Sequence, residues 1–301
     1  MKNERILFSR QMLSVMVDHV RITTAALKEN FGLSYNDFAL LYTLQGIDRP
    51  VDTQSIARYL LLQQKTVSLA LRRLEDKGSV MRSRGFDDRR ESFFCLTHGG
   101  VQQVNDAYRF VEKLLVETFL ETIDSDLFEE PKQAMKENVV MLRGFNVPAF
   151  DNRQNRKALF DVEHFLFWRY FTERASEIVQ REGAMTLTDY RVLVSLCELG
   201  KATSGDLADL LNISKASMSQ AKMNLYERGL MIELPDDDDG RRGVLRPTRE
   251  GQIKAGHVFF ELTQMTQRSH LALSDEAVIL INEYYLKMYS TFHKRRIEPQ
   301  G

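Results

Sequence analysis

Apolar residues near the start of the chain recur at spacings of three and four, which is typical of a helix with one buried face. This pattern predicts a long helix that ends at Gly32, and Ser34 is a suitable cap for a short buried helix after it. Two further short helices are predicted at 53–60 and 64–77, with a tight turn between them. The second of these carries its apolar residues on one face: Val67, Leu71 and Leu74.

Beyond Gly78 the apolar positions alternate, which predicts two strands at 80–84 and 91–96. A polar turn that contains Arg89 and Arg90 joins the strands into a hairpin. A basic hairpin directly after two short helices has the arrangement of a wing.

Long helices complete the pattern. Thr97 is placed to cap a helix whose apolar stripe continues to Phe119. A last helix is predicted from Pro131 to about residue 142, because proline is tolerated in the first turn of a helix.

The same pattern occurs a second time. Sliding the chain by 151 residues aligns two segments without a gap and gives eight identities over about 46 positions, including Ala57 on Ala208 and Ser68 on Ser219. Apolar positions and turn residues coincide as well. The second copy is predicted to contain helices at 157–180, 189–199, 204–211, 214–228 and 248–271, a hairpin at 231–246 and a final helix capped by Ser274.

This repeat sets the expected domain organisation. We expect a first copy at 1–145, a polar linker at 146–156 and a second copy at 157–301. The length of 301 residues agrees, since it allows two domains of about 150 residues each. The predicted fold class is mainly α with small β-wings, as two winged helix-turn-helix domains joined by a helical, dimer-like platform with pseudo-twofold symmetry.

Composition narrows the class of protein. With 43% apolar and 28% charged residues the chain resembles a globular protein, and its two cysteines exclude a disulfide scaffold. The charged start predicts no secretory signal, and the most apolar stretch is too short to span a membrane, so we expect a cytoplasmic protein without a membrane partner. No phosphate-binding loop, GxSxG or HExxH motif occurs, so we expect neither an enzyme nor a cofactor.

Charge distinguishes the two copies although the whole chain has a formal charge of −1. The segment 53–90 has nine Lys or Arg against four Asp or Glu, a local excess that suits phosphate binding. The corresponding segment 204–249 has seven basic and eight acidic residues, including four consecutive acids at 236–239. We therefore expect the two copies to bind DNA unequally.

A pair of short helices with polar and basic residues outward suits the major groove of DNA, where base edges are distinguishable. At this point the sequence resembles the MarR family of bacterial and archaeal transcription regulators. The resemblance rests on the wing residues Asp87–Arg90 followed by Leu96-Thr97 and Gly100, and on the recognition-helix residues 65–68 and 73–78. The second copy matches more loosely, at 215–219, 225–229, 238–242, Thr248 and Gly251.

The resemblance implies a platform, because the family is built of dimers whose terminal helices pair two winged helices. Helices around 5–30, 98–145, 157–181 and 249–295 would form that platform within one chain. The chain would then be a monomer in solution that acts as an intramolecular pseudo-dimer, with high effective concentration of each half for the other. It would be a sequence-specific repressor on an imperfect palindrome, with double-stranded DNA as its partner. An effector between platform and winged helices is also implied, although no residue identifies it.

The candidate DNA-binding residues lie on the second helix of each pair and on each wing tip. They are Lys65, Thr66, Ser68, Arg72, Arg73, Arg89, Arg90, Lys215, Ser217, Ser219, Gln220, Lys222, Arg241 and Arg242. The helix residues could instead form an ordinary solvated face, and the wing arginines could pair with neighbouring aspartates.

Some positions depart from the family pattern. Many members have Arg just after the recognition-helix serine, where this chain has Leu69 and Gln220. In the second copy, Pro247 replaces the leucine at 96 and Gly240 replaces the arginine at 89. A second hypothesis follows, in which the acidic second copy has lost DNA binding and contacts another regulator or polymerase, as an antirepressor.

Other residue types point to packing. Cys95 and Cys197 could sense redox state but suit a buried packing role better. The six histidines lack paired metal spacing, so no metal site is expected. The aromatic stretch 165–171 could line a ligand pocket, although core packing is the more usual role.

Overall fold

The computed structural model describes residues 8–47, 49–84, 92–121, 125–143, 159–235, 243–269 and 275–297. Within these residues the chain is mainly helical, with two small antiparallel sheets. It divides into two compact units. The first unit is His19–Tyr170, and the second unit is Met1–Asp18 together with Phe171–Gly301.

These units divide the chain differently from the sequence copies. The chain passes from the second unit into the first within helix α1 (Arg10–Phe31) and returns within helix α7 (Val162–Gly183). Each unit therefore contains the winged helix of one copy and the amino-terminal part of the long helix that opens the other copy. The predicted linker at 146–156 lies outside the described residues.

The first unit follows the predicted order of elements. Its helices and strands after α1 are α2 (Tyr35–Gly46), β1 (Val51–Asp52), α3 (Thr53–Leu60), α4 (Gln64–Asp76), β2 (Val80–Arg84), β3 (Ser92–Leu96), α5 (His98–Leu115) and α6 (Ser125–Arg143). Ser34 caps α2 with a capping box: Ser34 Oγ accepts from the Asp37 amide and Asp37 Oδ2 accepts from the Ser34 amide, both at 3.1 Å. The expected cap at Ser34 is therefore confirmed.

Two details of the first unit differ from the sequence prediction. Strand β1 pairs antiparallel with β3, Val51 opposite Phe94, and gives the sheet order β1-β3-β2. A two-residue strand has no periodicity of its own, so the sequence predicted no strand there. Helix α6 begins at Ser125 and includes Pro131, so the prediction that Pro131 stands in the first turn was wrong. The helix tolerates the missing N–H at that residue.

The second unit repeats the arrangement. It contains α8 (Leu187–Leu199), α9 (Ser204–Leu211), α10 (Lys215–Glu227), β4 (Met231–Pro235), β5 (Gly243–Pro247), α11 (Arg249–Ser269) and α12 (Asp275–Ile297). Thr186 forms the same capping box with Asp189 that Ser34 forms in the first unit. The equivalent of β1 is reduced to a single bridge between Ala202 and Leu245.

The core of the first unit is rich in aromatic side chains. Phe165 and Trp168 are fully buried, so this part of the aromatic stretch packs in the core. Tyr42 donates its hydroxyl to the Phe160 carbonyl at 3.0 Å, and Tyr35 donates to the Phe165 carbonyl at 2.9 Å. These bonds satisfy the buried hydroxyls and fasten the start of α7 to α2. Among the described helices, none has the length and apolarity that a membrane crossing requires.

Candidate DNA interface

The two short helices of the first unit form a helix-turn-helix. Asp52 caps α3 by accepting from the Ser55 amide at 2.9 Å, and Leu61 ends it in the left-handed conformation, with φ of 54°. Helix α4 then starts three residues later. It buries one face, formed by Val67, Ala70, Leu71 and Leu74. The residues on its other side are free to face a ligand.

Most predicted residues on α4 are accessible. Lys65, Ser68, Arg72 and Arg73 are exposed, and Thr66 is half-buried. Ser68 donates its hydroxyl to the Gln64 carbonyl at 2.9 Å. Arg72 has no hydrogen-bond or ion-pair partner within the described part of the chain. DNA contact by these side chains stays a prediction.

Arg73 has a structural partner. Its guanidinium donates to Asp37 Oδ1 at 2.8 Å, although the side chain remains 53% exposed. Asp37 is the capping-box residue of α2, so this ion pair joins the recognition helix to α2. The same position of the second copy is Asn224, which donates to both carboxylate oxygens of Asp189 at 3.3 Å. The residue at this position therefore fastens α4 to α2 in the first copy and α10 to α8 (Leu187–Leu199) in the second.

The second helix-turn-helix has the same geometry and a different surface. Asn212 ends α9 with φ of 50°, and Ser214 caps α10 by accepting from the Ser217 amide. The predicted residues Lys215, Ser217, Ser219 and Gln220 are exposed. Lys222 is half-buried, and its ammonium lies 2.6 Å from Glu233 Oε1 on β4. One of the two cations of α10 is therefore already paired within the fold.

The outermost residues of each recognition helix lie opposite its buried face, at spacings of three and four. In α4 this outward stripe is Lys65, Leu69, Arg72 and Asp76, and in α10 it is Ala216, Gln220, Met223 and Glu227, all exposed. The predicted site omitted Leu69, Ala216 and Met223 because they are apolar. Their position on the helix, directly opposite the buried residues, makes them accessible and could have been read from the helical period.

The wings differ in charge. Strand β2 exposes Arg82 and Arg84, and Arg82 Nε donates to Ser92 Oγ at 2.9 Å on the neighbouring strand. The same positions of β4 are Glu233 and Pro235. The predicted wing-tip residues Arg89, Arg90, Arg241 and Arg242 lie outside the described residues. Contacts by those four arginines stay predictions.

The Leu-Thr and glycine motif fastens the wing to the recognition helix. Thr97 Oγ1 donates to the Gly78 carbonyl at 2.7 Å and accepts from the Gly100 amide at 2.9 Å. Thr248 repeats both bonds, to the Gly229 carbonyl and from the Gly251 amide. A hydroxyl at this position therefore joins the end of the recognition helix to the start of the next long helix.

A long side chain braces the end of each recognition helix. Lys77 Nζ donates to the Gly32 carbonyl at 2.8 Å, where α1 ends. The equivalent residue, Arg228, donates to the Ala184 carbonyl at 2.8 Å and to the Gly183 carbonyl at 2.7 Å, where α7 ends. These cations neutralise the negative ends of α1 and α7. Lys77 and Arg228 therefore already have partners within the fold.

An arginine also binds the last carbonyl of the first helix of each pair. In the first unit, Arg169 of α7 donates to the Leu60 carbonyl and to Asn36 Oδ1. In the second unit, Arg191 donates to the Leu211 carbonyl at 3.1 Å and to Asp18 Oδ2 at 3.1 Å. Each helix-turn-helix is thus joined to a long helix by a buried guanidinium.

The second unit contains a cavity of about 500 Å³. Phe8, Val194, Ala255 and Phe259 give it apolar walls, and Arg10 and Glu198, which form an ion pair, add charge. Cys197 also lines it, and burial raises the pKa of this thiol to about 11. A thiol with such a pKa is protonated at neutral pH. Cys95 and Cys197 are both half-buried and not fully buried as expected.

Two histidines are buried in the aromatic core of the first unit. The rings of His19 and His164 have centroids 5.5 Å apart, and Trp168 contacts both. Their ring nitrogens have no hydrogen-bond partner within the described residues. Burial lowers the pKa of His164 to about 3 and that of His19 well below its usual value. In the described part of the chain no three His, Cys, Asp or Glu side chains converge as a metal site would need.

Both sequence copies match models of known domain families. Residues 33–100 match the winged helix DNA-binding domain, and residues 185–242 match the MarR family. A curated relative, the uncharacterized HTH-type transcriptional regulator YwoH of Bacillus subtilis strain 168, is 31% identical over 106 residues, which is 35% of this chain and 72% of the relative.

Two solved structures with similarity to the chain each cover less than half of it. AbsC, a MarR family transcriptional regulator from Streptomyces coelicolor, is 22% identical and covers 44% of this chain and 89% of its own, with a TM-score of 0.39. The transcriptional regulator BldR from Sulfolobus solfataricus is 24% identical and covers 41% of this chain and 88% of its own, with a TM-score of 0.36.

Proposed function

This chain belongs to the MarR family of winged helix-turn-helix, DNA-binding transcription regulators, and from that premise we propose that it is a sequence-specific repressor acting as an intramolecular pseudo-dimer. Each recognition helix would enter the major groove of one half-site, and each wing would reach the adjacent minor groove. The two halves of the operator would form an imperfect palindrome because the two recognition helices differ.

One observation carries this proposal: a complete helix-turn-helix and wing strands occur twice in one chain, each with an exposed outward stripe. The composition of the compact units supports the pseudo-dimer. Each unit includes the amino-terminal part of a long helix from the other copy. The two subunits of an intertwined dimer exchange helix segments in the same way. A covalent link between the halves would replace bimolecular assembly with an intramolecular one.

The test is DNA binding by Arg72→Ala, measured by fluorescence anisotropy with the promoter of the chain's own gene at physiological salt. Loss of this exposed, unpartnered cation should weaken binding about 5- to 150-fold if it contacts a base. Lys113→Ala is the matched control, because Lys113 lies in α5 about 24 Å along the helix from Thr97 and pairs with Glu117. Equal affinity of the two variants would remove the first copy from the mechanism.

Repression is tested separately by transcription in vitro from the same promoter. Occupancy of the operator should lower the yield of transcript with the wild-type protein and not with Arg72→Ala. An increase in transcript with the wild-type protein would contradict repression while leaving DNA binding intact.

The surface of the second copy favours a second candidate function, in which that copy binds a protein. Helix α10 exposes Met223 and Tyr226, and Lys222 is paired with Glu233. A salt titration separates the two candidates, since each phosphate contact adds about −0.9 to the slope of log affinity against log salt. Two DNA-binding copies should give a steeper slope than a variant with Lys215 and Lys222 changed to Ala, whereas a second copy without DNA contacts should give equal slopes.

A small-molecule effector is the last part of the proposal, and the cavity of the second unit is its candidate site. Pockets of about 300–1,000 Å³ with apolar walls and a few polar groups are typical of ligand sites. Gly256 lines this cavity, and a Cβ added there meets nothing within 4 Å. Gly256→Leu should therefore abolish the release of DNA by an effector found in a compound screen, without changing DNA affinity in its absence.

A further inference from the structure

The two outward stripes occupy equivalent places on the two recognition helices but have different chemistry. The stripe of α4 is Lys, Leu, Arg and Asp, and the stripe of α10 is Ala, Gln, Met and Glu. No residue is shared between them at an equivalent position. Both helices bury the same opposite face, at Val67 and Leu74 in α4 and at Met218 and Leu225 in α10. The stripes therefore present different groups from the same geometry.

The stripe of α4 suits a half-site with a guanine. Arg and Lys side chains recognise the O6 and N7 acceptors of guanine in the major groove, and an apolar side chain contacts the methyl group of thymine. Arg72 is exposed and has no partner in the described part of the chain, so its guanidinium is available for a base. Leu69 lies one turn away and is 51% exposed, a position that buries apolar surface only when something docks on it.

The stripe of α10 lacks a cation and suits adenine and thymine. Gln220 Nε2 donates to Asn224 Oδ1 at 2.9 Å, and Asn224 is in turn held by Asp189. The second hydrogen on Nε2 and the Oε1 acceptor of Gln220 remain, and these are the two groups that pair with N7 and N6 of adenine. Met223, 47% exposed, and Ala216 can contact thymine methyl groups.

We propose that these stripes determine unlike half-sites: the first copy reads a G·C pair through Arg72, and the second copy reads A·T pairs through Gln220 and Met223. The proposal rests on the function proposed above and adds the base chemistry of each half. Arg73 and Asn224, which face the capping boxes, act as positioning residues for their helices.

The test is selection of bound fragments from random duplex DNA, with the full chain and with a variant whose second stripe is converted to the first. The variant carries Ala216→Lys, Gln220→Leu, Met223→Arg and Glu227→Asp, all at exposed positions. The wild-type chain should select two unlike halves, one with guanine and one of A·T pairs. The variant should select a palindrome with guanine in both halves, and bind it about 5- to 150-fold more tightly than the wild type does.

The control is Tyr226→Glu, which also installs the first-copy residue on α10 but at an exposed position beside the stripe. It should change overall affinity without changing the selected sequence. Unlike halves that persist in the converted variant would overturn the proposal while DNA-binding regulation stands. A single half-site selected by the wild type would overturn reading by the second copy, and no enrichment by the wild type would overturn both this proposal and the proposed function.

Discussion

Gly100 permits an unusually close approach between the long helix α5 and the end of the recognition helix. A Cβ at this residue would lie 1.9 Å from the Ser79 carbonyl oxygen, and at Gly251 it would lie 2.0 Å from the Leu230 carbonyl oxygen. The two backbones lie so close that no Cβ fits between them, so only glycine can occupy this position. The glycine of the family motif is thus explained by contact, in both copies.

Gly100→Ala should destabilise the protein by about 1–3 kcal/mol, because the backbone of Ser79 has to move. Urea denaturation followed by circular dichroism measures this change. Gly99→Ala is the control: its Cβ would be 3.8 Å from the nearest atom, Thr97 Oγ1. Alanine there should be neutral or stabilising, as is usual for a helical glycine. Equal stability of the two variants would contradict the close approach.

The buried histidines predict a dependence of stability on pH. His164 has a pKa of about 3 in the folded chain and an ordinary value near 6.5 when unfolded. Below pH 6.5 the unfolded state therefore binds a proton that the folded state excludes, and stability falls as pH falls. Burial is the main cause, and the cation of Lys132 also lowers this pKa. The loss is about 1.4 kcal/mol per pH unit for each histidine in this range.

The measurement compares the free energy of unfolding at pH 7.5 and pH 5.5 for the wild type and His164→Phe. Phenylalanine fits the aromatic surroundings and cannot bind a proton. The variant should lose less stability than the wild type over this interval, whatever its stability at pH 7.5. An equal loss in the two proteins would show that His164 is protonated in the folded state.

For single residues, the sequence predicted which side chains are exposed better than it predicted which groups they contact. The exposure of Lys65 and Arg72 follows from periodicity, which places them opposite Leu71 and Leu74. The partner of Arg73 could not be predicted, since Asp37 is 36 residues away and the contact depends on the packing of α4 against α2. Leu69 and Met223 were not among the candidate DNA-binding residues, although both side chains are exposed.

At the scale of elements, Arg191 joins three helices of the second unit. Its guanidinium, on α8, donates to Asp18 and Ser14 of α1 and to the last carbonyl of α9. Arg191 and Asp18 are only 3% and 1% exposed at their side chains, so neither charge is solvated by water. The position of the helix-turn-helix is thereby coupled to a long helix.

Asp18→Asn should cost about 3–5 kcal/mol of stability, because it leaves the guanidinium buried without its counter-charge. The double variant Asp18→Leu with Arg191→Met removes both charges and should be more stable than Asp18→Asn. Thermal unfolding of the three proteins tests this order. The exposed pair of Arg174 and Glu177 supplies the control, since Arg174→Ala should change stability by less than about 1 kcal/mol. A cost for Asp18→Asn as small as that of Arg174→Ala would contradict the role of the buried pair.

Elements with local signals were predicted closely. The bounds 53–60 and 64–77 agree with α3 and α4 because a tight turn separates the two helices and Gly78 follows the second. Elements that depend on distant partners were not predicted. β1 exists because Val51 pairs with Phe94. Helix α6 extends back to Ser125 because its proline lies inside the helix and does not mark its start.

At the scale of the whole molecule, the compact units predict how the chain responds to division. A cut between residues 150 and 151 separates the copies but leaves each without part of a unit, since residues 8–18 belong with the second copy's winged helix and 162–170 with the first. Neither fragment should fold stably alone, because each exposes apolar surface such as Phe165 or Met12 that the intact chain buries.

The two fragments should regain helical structure and DNA binding when they are mixed or produced together. Circular dichroism and analytical ultracentrifugation measure this directly. A cooperative unfolding transition from either fragment alone would contradict the exchange of helix segments between copies. The intact chain serves as the reference for both structure and affinity.

The repeat in the sequence predicted two winged helices, and the structure contains both. The composition of the units could not be predicted in the same way. Sequence similarity groups residues that share an ancestor, whereas compact units group residues that share a core. Helix α1 belongs to the first sequence copy and α7 to the second, but each of these helices contributes residues to both compact units.

Unlike recognition helices in one covalent chain have a consequence for evolution and for promoter architecture. In a homodimer every substitution appears in both subunits, so its operator stays symmetric. In the proposed pseudo-dimer, Arg72 and Met223 would diverge independently, and each half of the target would drift with its own helix. An unequal pair would also give the bound protein a polarity, so that the orientation of the operator would determine which half of the protein faces the transcription start.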